Sequence, residues 1–284
     1  MDPRFAGIDR LYGAGAAARL ARAHVCVVGI GGVGSWAVEA LARSGVGELT
    51  LIDADDVCLS NTNRQLHALA GEYGKAKVEV MAQRARAINP AINVHAIADF
   101  LASSNLWSLL GRDAHESDAG RGAPNPPFDA VLDACDALKV KVEMIAFCKR
   151  RKIPVVVSGS AGGRIDPTLV TARDLSKTEH DAMLALVRQK LRDDYGWTRN
   201  PKRYFGVQAV FSRENANYPQ ADGSVCKTRM SGEGALKLDC SGGLGAATHV
   251  TGTFAFVAVS RVLERILADA PRSGAKESPR LPAG

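Results

Sequence analysis

Residues 25–41 read VCVVGIGGVGSWAVEAL, an apolar run that four glycines interrupt before it resumes at helical spacing. A β-branched run that ends in glycine is typical of a buried strand, and the amphipathic stretch after it is typical of a helix. Three of the glycines, Gly29, Gly31 and Gly34, fit the pattern G-x-G-x-x-G, and Gly32 lies among them. Such a turn brings backbone N–H groups and a helix N-terminus to a phosphate. The stretch therefore predicts a nucleotide site, without saying which nucleotide.

Strands and helices alternate through the N-terminal part of the chain. Apolar runs that predict strands lie at 24–29, 49–53, 92–97, 128–134 and 153–159. Patterns of helical period lie between them, at 33–44, 75–88, 106–110 and 138–152. Because parallel strands need crossover connections, this alternation predicts an α/β fold: a Rossmann-like, doubly wound, mostly parallel sheet with helices on both faces.

The chain divides into two regions of one globular unit. Residues 1–165 are expected to form the nucleotide-binding region, and residues 166–268 an additional α/β region on the substrate side. The second region carries a predicted helix, strand, glycine-rich turn and helix, at 181–195, 206–212, 241–245 and 248–267. Segments 111–127 and 269–284 are rich in Gly, Pro and polar residues, so we expect them to be disordered and without a part in chemistry.

Composition narrows the class of protein. A chain of 284 residues that is 46% hydrophobic can bury one good core. The net charge of +6 is compatible with an anionic partner but decides little. The six cysteines stand singly, so neither a disulfide framework nor a C-x-x-C zinc site is predicted. The N-terminus shows no secretion signal, and the charge-free stretch 241–260 contains glycines and threonines that favour a buried helix. We therefore expect a cytoplasmic protein without a membrane span.

The residues after the glycine turn favour a triphosphate over a dinucleotide. Asp53 ends the second predicted strand, where an acidic residue binds ribose hydroxyls in NAD sites, the commonest use of this turn. Asn61, Arg64 and Lys77 follow, and a dinucleotide does not need the two cations among them beyond its pyrophosphate turn. A triphosphate does, because its β- and γ-phosphates extend past the helix and must be neutralised. Single surface cations of this kind are also ordinary on solvated helices.

Two carboxylates come at the end of the fourth predicted strand, Asp133 and Asp136. The carboxyl ends of the strands of such sheets form the crevice in which ligands bind. One carboxylate there is suited to hold Mg²⁺ on the phosphates.

The motifs G-x-G-G-x-G, D-x-D-x-V-x-x-S-N-x-x-R-Q, G-x-x-K and L-D-x-x-D follow one another in this order. Together they resemble the adenylating domain of the ubiquitin-activating enzyme superfamily, to which the molybdopterin-synthase and thiamine-biosynthesis adenylyltransferases also belong. The resemblance implies that ATP is bound and that a carboxylate is adenylated. The nucleotide-binding residues that it implies are Gly29, Gly31, Gly32, Gly34, Asp53, Asp55, Asn61, Arg64, Lys77 and Asp136. Among these, Asp53 would hold the ribose, and Asp136 the Mg²⁺. The phosphates would be held by Asn61, Arg64 and Lys77. The catalytic candidates in this set are Arg64, Lys77 and Asp136.

A denser resemblance extends from Arg4 to Leu267. The stretches RFAGIDRLYG, VGIGGVGSWAVEALARSGVG, LIDADDVCLSNTNRQLHAL, GSAGGRIDPT and LDCSGGLGAATHVTGTFAFVAVS are similar to those of the tRNA threonylcarbamoyladenosine dehydratases. That family implies ATP-dependent cyclisation of N6-threonylcarbamoyladenosine beside the anticodon, with loss of water. The alternative is an adenylyltransferase that activates the C-terminus of a ubiquitin-like sulfur carrier. The missing C-x-x-C pairs disfavour this alternative, and Arg64 with Lys77 disfavours an NAD-binding module.

The N-terminal segment carries two further catalytic candidates. Carrier-activating relatives place an arginine of an R-[YF]-x-R motif on the ATP of the partner subunit. In this chain the motif reads RFAGIDR, with Gly7 at the position of the second arginine. The resemblance therefore implies a homodimer in which Arg4 or Arg10 serves instead.

The resemblance also indicates partners and ions. It implies tRNA and not DNA as the nucleic acid, and the family link to cysteine desulfurase adds that enzyme and its sulfur acceptor as candidate partners. It leaves open whether a monovalent cation, Na⁺ or K⁺, is bound. Cys226 and Cys240 are the residues that a sulfur-transfer role would use, but lone cysteines are usually inert, and we predict that both are structural.

Three basic clusters are candidates for tRNA contact, because Lys and Arg bind the phosphate backbone. They are Lys149 to Lys152, then Arg188 with Lys190 and Arg192, and finally Arg199 with Lys202 and Arg203. The alternative is that each is a solvated helix face.

Overall fold

A computed structural model describes residues 2–111, 128–220, 222–227 and 244–268. Seven strands form the main sheet, in the order β3-β2-β1-β4-β5-β7-β6. They are β1 His24–Val28, β2 Glu48–Ile52, β3 Asn93–Ile97, β4 Ala130–Asp133, β5 Val155–Ser158, β6 Val170–Asp174 and β7 Gln208–Ser212. A separate two-stranded ribbon pairs β8 Tyr218–Pro219 with β9 Val225–Cys226.

Eight α-helices connect and flank the strands in the described ranges. They are α1 Ala6–Tyr12, α2 Ala16–Leu20, α3 Gly34–Arg43, α4 Lys77–Ile88, α5 Leu106–Leu110, α6 Leu138–Arg150, α7 Ala182–Tyr195 and α8 Thr248–Leu267. The predicted bounds of α5 and α8 are confirmed, and those of α3, α4, α6 and α7 differ by one or two residues. Within these ranges, none of the helices combines the length and the hydropathy that a membrane span requires.

The sheet is parallel apart from its last strand. β1 pairs in parallel with both β2 and β4, and β4 continues through β5 to β7. β6 pairs antiparallel with β7 at the edge. The connections leave β1 in opposite directions, which opens a crevice beside its carboxyl end. The predicted Rossmann-like, doubly wound α/β fold is confirmed.

The core lies in two layers, one on each face of the sheet. Alternate residues of β1 face opposite layers: Val25 and Val27 pack with α3, α4 and α8, whereas Cys26 and Val28 pack with α5, α6 and α7. This alternation follows from the two-residue period of a strand. Apart from the β8–β9 ribbon, the described part of the C-terminal region builds on the main sheet, because β6 and β7 extend it and α8 packs across it.

Some elements were not predicted from the sequence, namely α1, α2, β6 and the β8–β9 ribbon. β6 reads VTARD and is only partly buried, so it lacks the apolar run that marks the inner strands. The predicted disorder at 112–127 and 269–284 and most of the predicted glycine-rich turn lie outside the described residues.

Candidate nucleotide-binding site

The glycine turn lies at the carboxyl end of β1, against the end of β4. Gly29 has a φ of +86°, and a Cβ atom there would lie 2.8 Å from the backbone of Ala134 and Cys135. A Cβ atom on Gly34 would lie 1.8 Å from the carbonyl oxygen of Gly29. Only glycine fits at either position, so these two residues bring β1, β4 and the N-terminus of α3 together. The first N–H groups of α3 then face the crevice, where they can bind an anion.

Asp53 holds the glycine turn from the neighbouring strand. Its Oδ2 accepts a hydrogen bond of 2.6 Å from the N–H of Ile30, and its Oδ1 accepts one of 2.8 Å from the N–H of Asp55. An ionised carboxylate has about four acceptor positions, so both oxygens keep capacity for ribose hydroxyls. The orientation of Asp53 is thus compatible with its predicted role.

Residues 58–68 fold over the glycine turn and carry Arg64 to it. The carbonyl oxygen of Arg64 accepts hydrogen bonds from Nε1 of Trp36 at 3.2 Å and from Oγ1 of Thr251 at 3.3 Å. The Cγ atom of Arg64 would lie 3.5 Å from a Cβ atom on Gly32. Nη1 of Arg64 donates to the carbonyl oxygen of Ser60 at 2.8 Å. The backbone of Arg64 is therefore anchored on two helices, while its side chain passes Gly32 and its guanidinium also donates to Oδ1 of Asn63 at 3.0 Å.

His67 connects the segment 58–68 to the glycine turn. Its Nε2 lies 2.8 Å from the carbonyl oxygen of Ile30, so this nitrogen carries the proton and donates it. Burial lowers the pKa of His67, which keeps the imidazole neutral. The contact ties the residue after Gly29 to the segment that carries Arg64.

Asn61 and Lys77 have partners of their own in the segment. Asn61 is buried, and its Oδ1 accepts a hydrogen bond of 3.0 Å from the N–H of Cys58, which closes a 3₁₀ turn. Lys77 begins α4, and its Nζ lies 2.7 Å from Oδ2 of Asp55. The Lys77 side chain is only 6% exposed, whereas that of Asp55 is 56% exposed. Asp55 thus orients the Lys77 ammonium, and the Asp55 carboxylate is the part of the pair that is exposed to solvent.

The two carboxylates after β4 have different environments. Asp133 is fully buried, and its Oδ1 lies 2.7 Å from Nζ of Lys141, which is equally buried. Burial alone would lower the pKa of Lys141, but the Asp133 carboxylate beside it raises that pKa above its ordinary value, so the lysine stays charged. Asp136 is exposed. Of the two, Asp136 is the carboxylate that can reach a metal ion on a bound nucleotide.

Cys135 lies between these carboxylates in the chain and packs against the core layer that contains α5, α6 and α7. Its Sγ donates to Oδ1 of Asp133 at 3.1 Å. Burial raises the pKa of the Cys135 thiol far above neutrality, and the charge of Asp133 raises it further. The thiol is therefore protonated and unsuited to act as a nucleophile.

Arg4 and Arg10 lie away from the crevice of their own chain. Phe5 packs against Gly45, just beyond the C-terminal end of α3, where a Cβ atom would lie 3.0 Å from its ring. The ten residues of α3 rise about 15 Å from the glycine turn to that end. Arg4 is paired with Asp2 at 2.6 Å. Asp9, beside Arg10, accepts a hydrogen bond from the N–H of Ala17 in α2, ahead of β1. Neither arginine reaches the glycine turn within one chain.

The basic clusters also lie away from the crevice. The cluster at 149–152 ends α6, whose thirteen residues extend about 20 Å from the carboxyl to the amino edge of the sheet. Nζ of Lys149 donates to the carbonyl oxygen of Gly206 at 3.4 Å, which brings this cluster next to the one at 199–203. Arg188 is partly buried on α7, and its guanidinium donates to the hydroxyl of Thr178. Contact of these clusters with tRNA stays a prediction. It requires a tRNA that has its modified base in the crevice to extend to the amino edge of the sheet.

Four residues that shape the site were not among the candidates from the sequence: Trp36, His67, Lys141 and Thr251. A signal for one of them is present in the sequence, because Lys141 shares the spacing i, i+4 and i+7 with Ile145 and Cys148 on the buried face of α6. A lysine at such a position requires a buried partner. The contacts of the other three join segments that are distant in the chain, so local sequence patterns do not reveal them.

The glycine turn, the acidic residue that holds it and the doubly wound sheet around them define a Rossmann-like nucleotide-binding protein. The chain belongs to the ThiF family, which matches residues 6–274. It is similar to the tRNA threonylcarbamoyladenosine dehydratase of Escherichia coli strain K12, at 49% identity over 95% of this chain and 96% of that protein. The dehydratase of Haemophilus influenzae is 48% identical, over 94% of both chains.

The similarity extends to solved structures. A crystal structure of the Escherichia coli tRNA N6-threonylcarbamoyladenosine dehydratase in complex with ATP matches with a TM-score of 0.79 and 45% identity, over 95% of this chain and 96% of that chain. These matches confirm the resemblance that the motifs indicated, both in the glycine turn and in the C-terminal region.

Proposed function

We propose that the protein is an ATP-dependent tRNA threonylcarbamoyladenosine dehydratase, which adenylates the threonyl carboxylate of N6-threonylcarbamoyladenosine and closes it into a ring. The observation that carries the proposal is the position of Arg64 along the glycine turn, where a triphosphate needs a cation and a dinucleotide does not. Similarity to the dehydratases over nearly the whole chain supports the choice of substrate. The tRNA substrate makes the cytoplasm the expected compartment.

The chemistry needs activation of a poor electrophile. A carboxylate oxygen of the threonyl group attacks the α-phosphorus of ATP, and the bond to pyrophosphate breaks. The resulting acyl adenylate has AMP as its leaving group. A nucleophilic atom of the threonylcarbamoyl group then attacks the acyl carbon, releases AMP and closes the ring, so the substrate loses the elements of water. Because that nucleophile is already held near the carbonyl, no protein thiol is needed, in agreement with the protonated Cys135.

The residues of this chain would bind and orient ATP. Asp53 would accept hydrogen bonds from the ribose hydroxyls, and the N–H groups at the start of α3 would bind a phosphate. Arg64, together with Lys77 held by Asp55, would neutralise the charge that passes to pyrophosphate. Asn61 would support the segment that carries Arg64.

Asp136 fits Mg²⁺, because its carboxylate is exposed at the crevice and is not part of the Asp133–Lys141 pair. When bound, Mg²⁺ would neutralise phosphate charge and so favour departure of pyrophosphate. A monovalent cation, a cysteine desulfurase and its sulfur acceptor remain proposals that rest on the family resemblance alone.

The reaction can be tested by mass spectrometry of nucleosides. We expect that tRNA bearing N6-threonylcarbamoyladenosine, incubated with the protein and ATP·Mg²⁺, loses 18 mass units at that nucleoside, as the loss of water requires. Reactions without ATP, or with NAD in its place, are the controls and should leave the nucleoside unchanged. Adenylation of a ubiquitin-like carrier protein without any change in the tRNA would instead support the alternative function.

We further propose a homodimer in which Arg4 or Arg10 acts on the nucleotide of the partner subunit. Support comes from the position of both residues, since neither reaches the glycine turn of its own chain. Mixing an Arg4→Ala/Arg10→Ala protein with an Asp136→Ala protein should restore activity, because mixed dimers contain one intact site. With random exchange of subunits, about one quarter of wild-type activity is expected. Each variant alone is the control. The proposal would be refuted if light scattering showed a monomer and that monomer were fully active.

A further inference from the structure

Three metal-binding side chains meet on neighbouring strands at the edge of the sheet opposite the crevice. His24 begins β1, Glu48 begins β2 and pairs with His24 in register, and His95 lies on β3. Each offers one ligand atom, and the three atoms lie within 4.8 Å of one another. His24 and Glu48 lie at the amino ends of their strands, whereas the glycine turn and Asp53 follow the carboxyl ends. The cluster is therefore separate from the nucleotide-binding residues.

The distances between these atoms are close to those of a tetrahedral zinc site. With metal–ligand distances of about 2.0–2.2 Å, neighbouring ligand atoms of such a site lie about 3.3 Å apart. Oε1 of Glu48 lies 3.8 Å from Nδ1 of His24 and 2.7 Å from Nε2 of His95. These two distances bracket the ideal value, and the two histidine nitrogens lie within 4.8 Å of each other, so small side-chain adjustments would accommodate an ion.

The surroundings of His24 are compatible with the tautomer that a metal ligand needs. Its Nε2 lies 2.9 Å from Oγ1 of Thr50, and the ring packs edge-on against Phe128. When Nε2–H donates to this hydroxyl, the lone pair of Nδ1 faces Glu48. Metal-binding histidines are commonly held by a hydrogen bond of this kind from the other ring nitrogen.

A fourth donor and an open side complete the cluster. The amide of Asn93 lies 3.1 Å from Nε2 of His95 and 3.3 Å from Oε1 of Glu48. A half-turn of this amide would present its oxygen at the same place, where water is the other candidate ligand. Exposed fractions of 36% for Glu48 and 47% for His95 leave a path from solvent.

We propose that His24, Glu48 and His95 form a binding site for Zn²⁺ that joins β1, β2 and β3. Two imidazoles and one carboxylate form a ligand set that zinc uses, whereas Mg²⁺ prefers oxygen ligands. The ion would bridge the edge strand β3 to the two strands that carry the glycine turn and Asp53. It would lie too far from the crevice to take part in adenylation, so the proposal is independent of the proposed function.

The test is titration of the purified, metal-free protein with Co²⁺ and Zn²⁺, without ATP. Co²⁺ reports its ligands through visible absorption, and a thiolate ligand adds an intense charge-transfer band. We expect one bound ion with the spectrum of nitrogen and oxygen ligands. His95→Ala and Glu48→Gln should each weaken binding by at least about 100-fold, and Thr50→Val by about 10-fold or more.

His180→Ala is the matched control, because His180 is an exposed histidine at the opposite edge, hydrogen-bonded to Asn215. This variant should bind the ion as the wild type does. Zn²⁺ should also raise the unfolding temperature of the wild type and of His180→Ala, but not that of His95→Ala. Three results would each overturn the proposal: no bound ion, unchanged affinity in His95→Ala, or a thiolate band that places the ion on a cysteine.

Discussion

Replacement of Arg64 by alanine is expected to slow adenylation by about 10²–10³-fold, because it removes a positive charge from the phosphates at the moment of transfer. The fold should survive, since the carbonyl oxygen of Arg64, and not its side chain, accepts the hydrogen bonds from Trp36 and Thr251. Single-turnover release of pyrophosphate measures the effect directly. Thermal unfolding of the same variant should show little change.

Arg22→Ala is the matched control for this experiment. Arg22 is exposed and precedes β1 at the far edge of the sheet, so its removal deletes the same charge without approaching the crevice. Pyrophosphate release should stay at the wild-type rate in this variant. Equal rates for Arg64→Ala and the wild type would exclude a phosphate role for Arg64.

Lys141→Met should cause the largest loss of stability, about 3–5 kcal/mol in the free energy of unfolding. Lys141 and Asp133 are both fully buried, so the substitution leaves the Asp133 carboxylate without its counter-charge. The second oxygen of Asp133 has no hydrogen-bond partner among the described residues, which makes the carboxylate depend further on Lys141. Urea-induced unfolding at neutral pH measures the change.

Two further variants distinguish the effect of the unpaired charge from the effect of lost packing. Lys139→Met, on the same helix but 80% exposed, should change stability by no more than about 0.5 kcal/mol. Asp133→Asn/Lys141→Met should recover much of the loss, because it removes both charges. A double variant that is as unstable as Lys141→Met would mean that lost packing, and not the unpaired charge, causes the effect.

The pH dependence of this pair has a definite sign. The pKa of Lys141 is raised in the folded protein above its ordinary 10.5, so the folded state binds the proton more tightly than the unfolded state does. The resulting stabilisation is complete below that ordinary pKa and is lost as the pH rises through the folded pKa. The difference in stability between the wild type and Lys141→Met should therefore decrease as the pH rises in alkaline solution.

Most of the secondary structure could be predicted from the sequence, because its signals are local. Apolar runs bounded by Gly and Asp marked the strands on both sides of the crevice, and helical periodicity located α5 and α8 to the residue. The glycine turn was recognisable for the same reason, since the positive φ of Gly29 and the close contact of Gly34 with Gly29 arise within a few residues. The contact of Gly29 with Ala134 and Cys135, in contrast, depends on the pairing of distant strands. β6 was not predicted, because an antiparallel edge strand is buried on fewer sides and needs no apolar run.

Relations between distant segments required the three-dimensional structure. The family resemblance assigned the metal to Asp136, but only the structure shows the physical difference, because it pairs Asp133 with Lys141 and leaves Asp136 exposed. The same holds for Arg4, whose helix lies at the far end of α3, and for the basic clusters at the amino edge. Likewise, the His24–Glu48–His95 cluster arises from the register of three strands. Such contacts depend on strand order and register, which pair residues far apart in the chain and leave no periodic trace in its sequence.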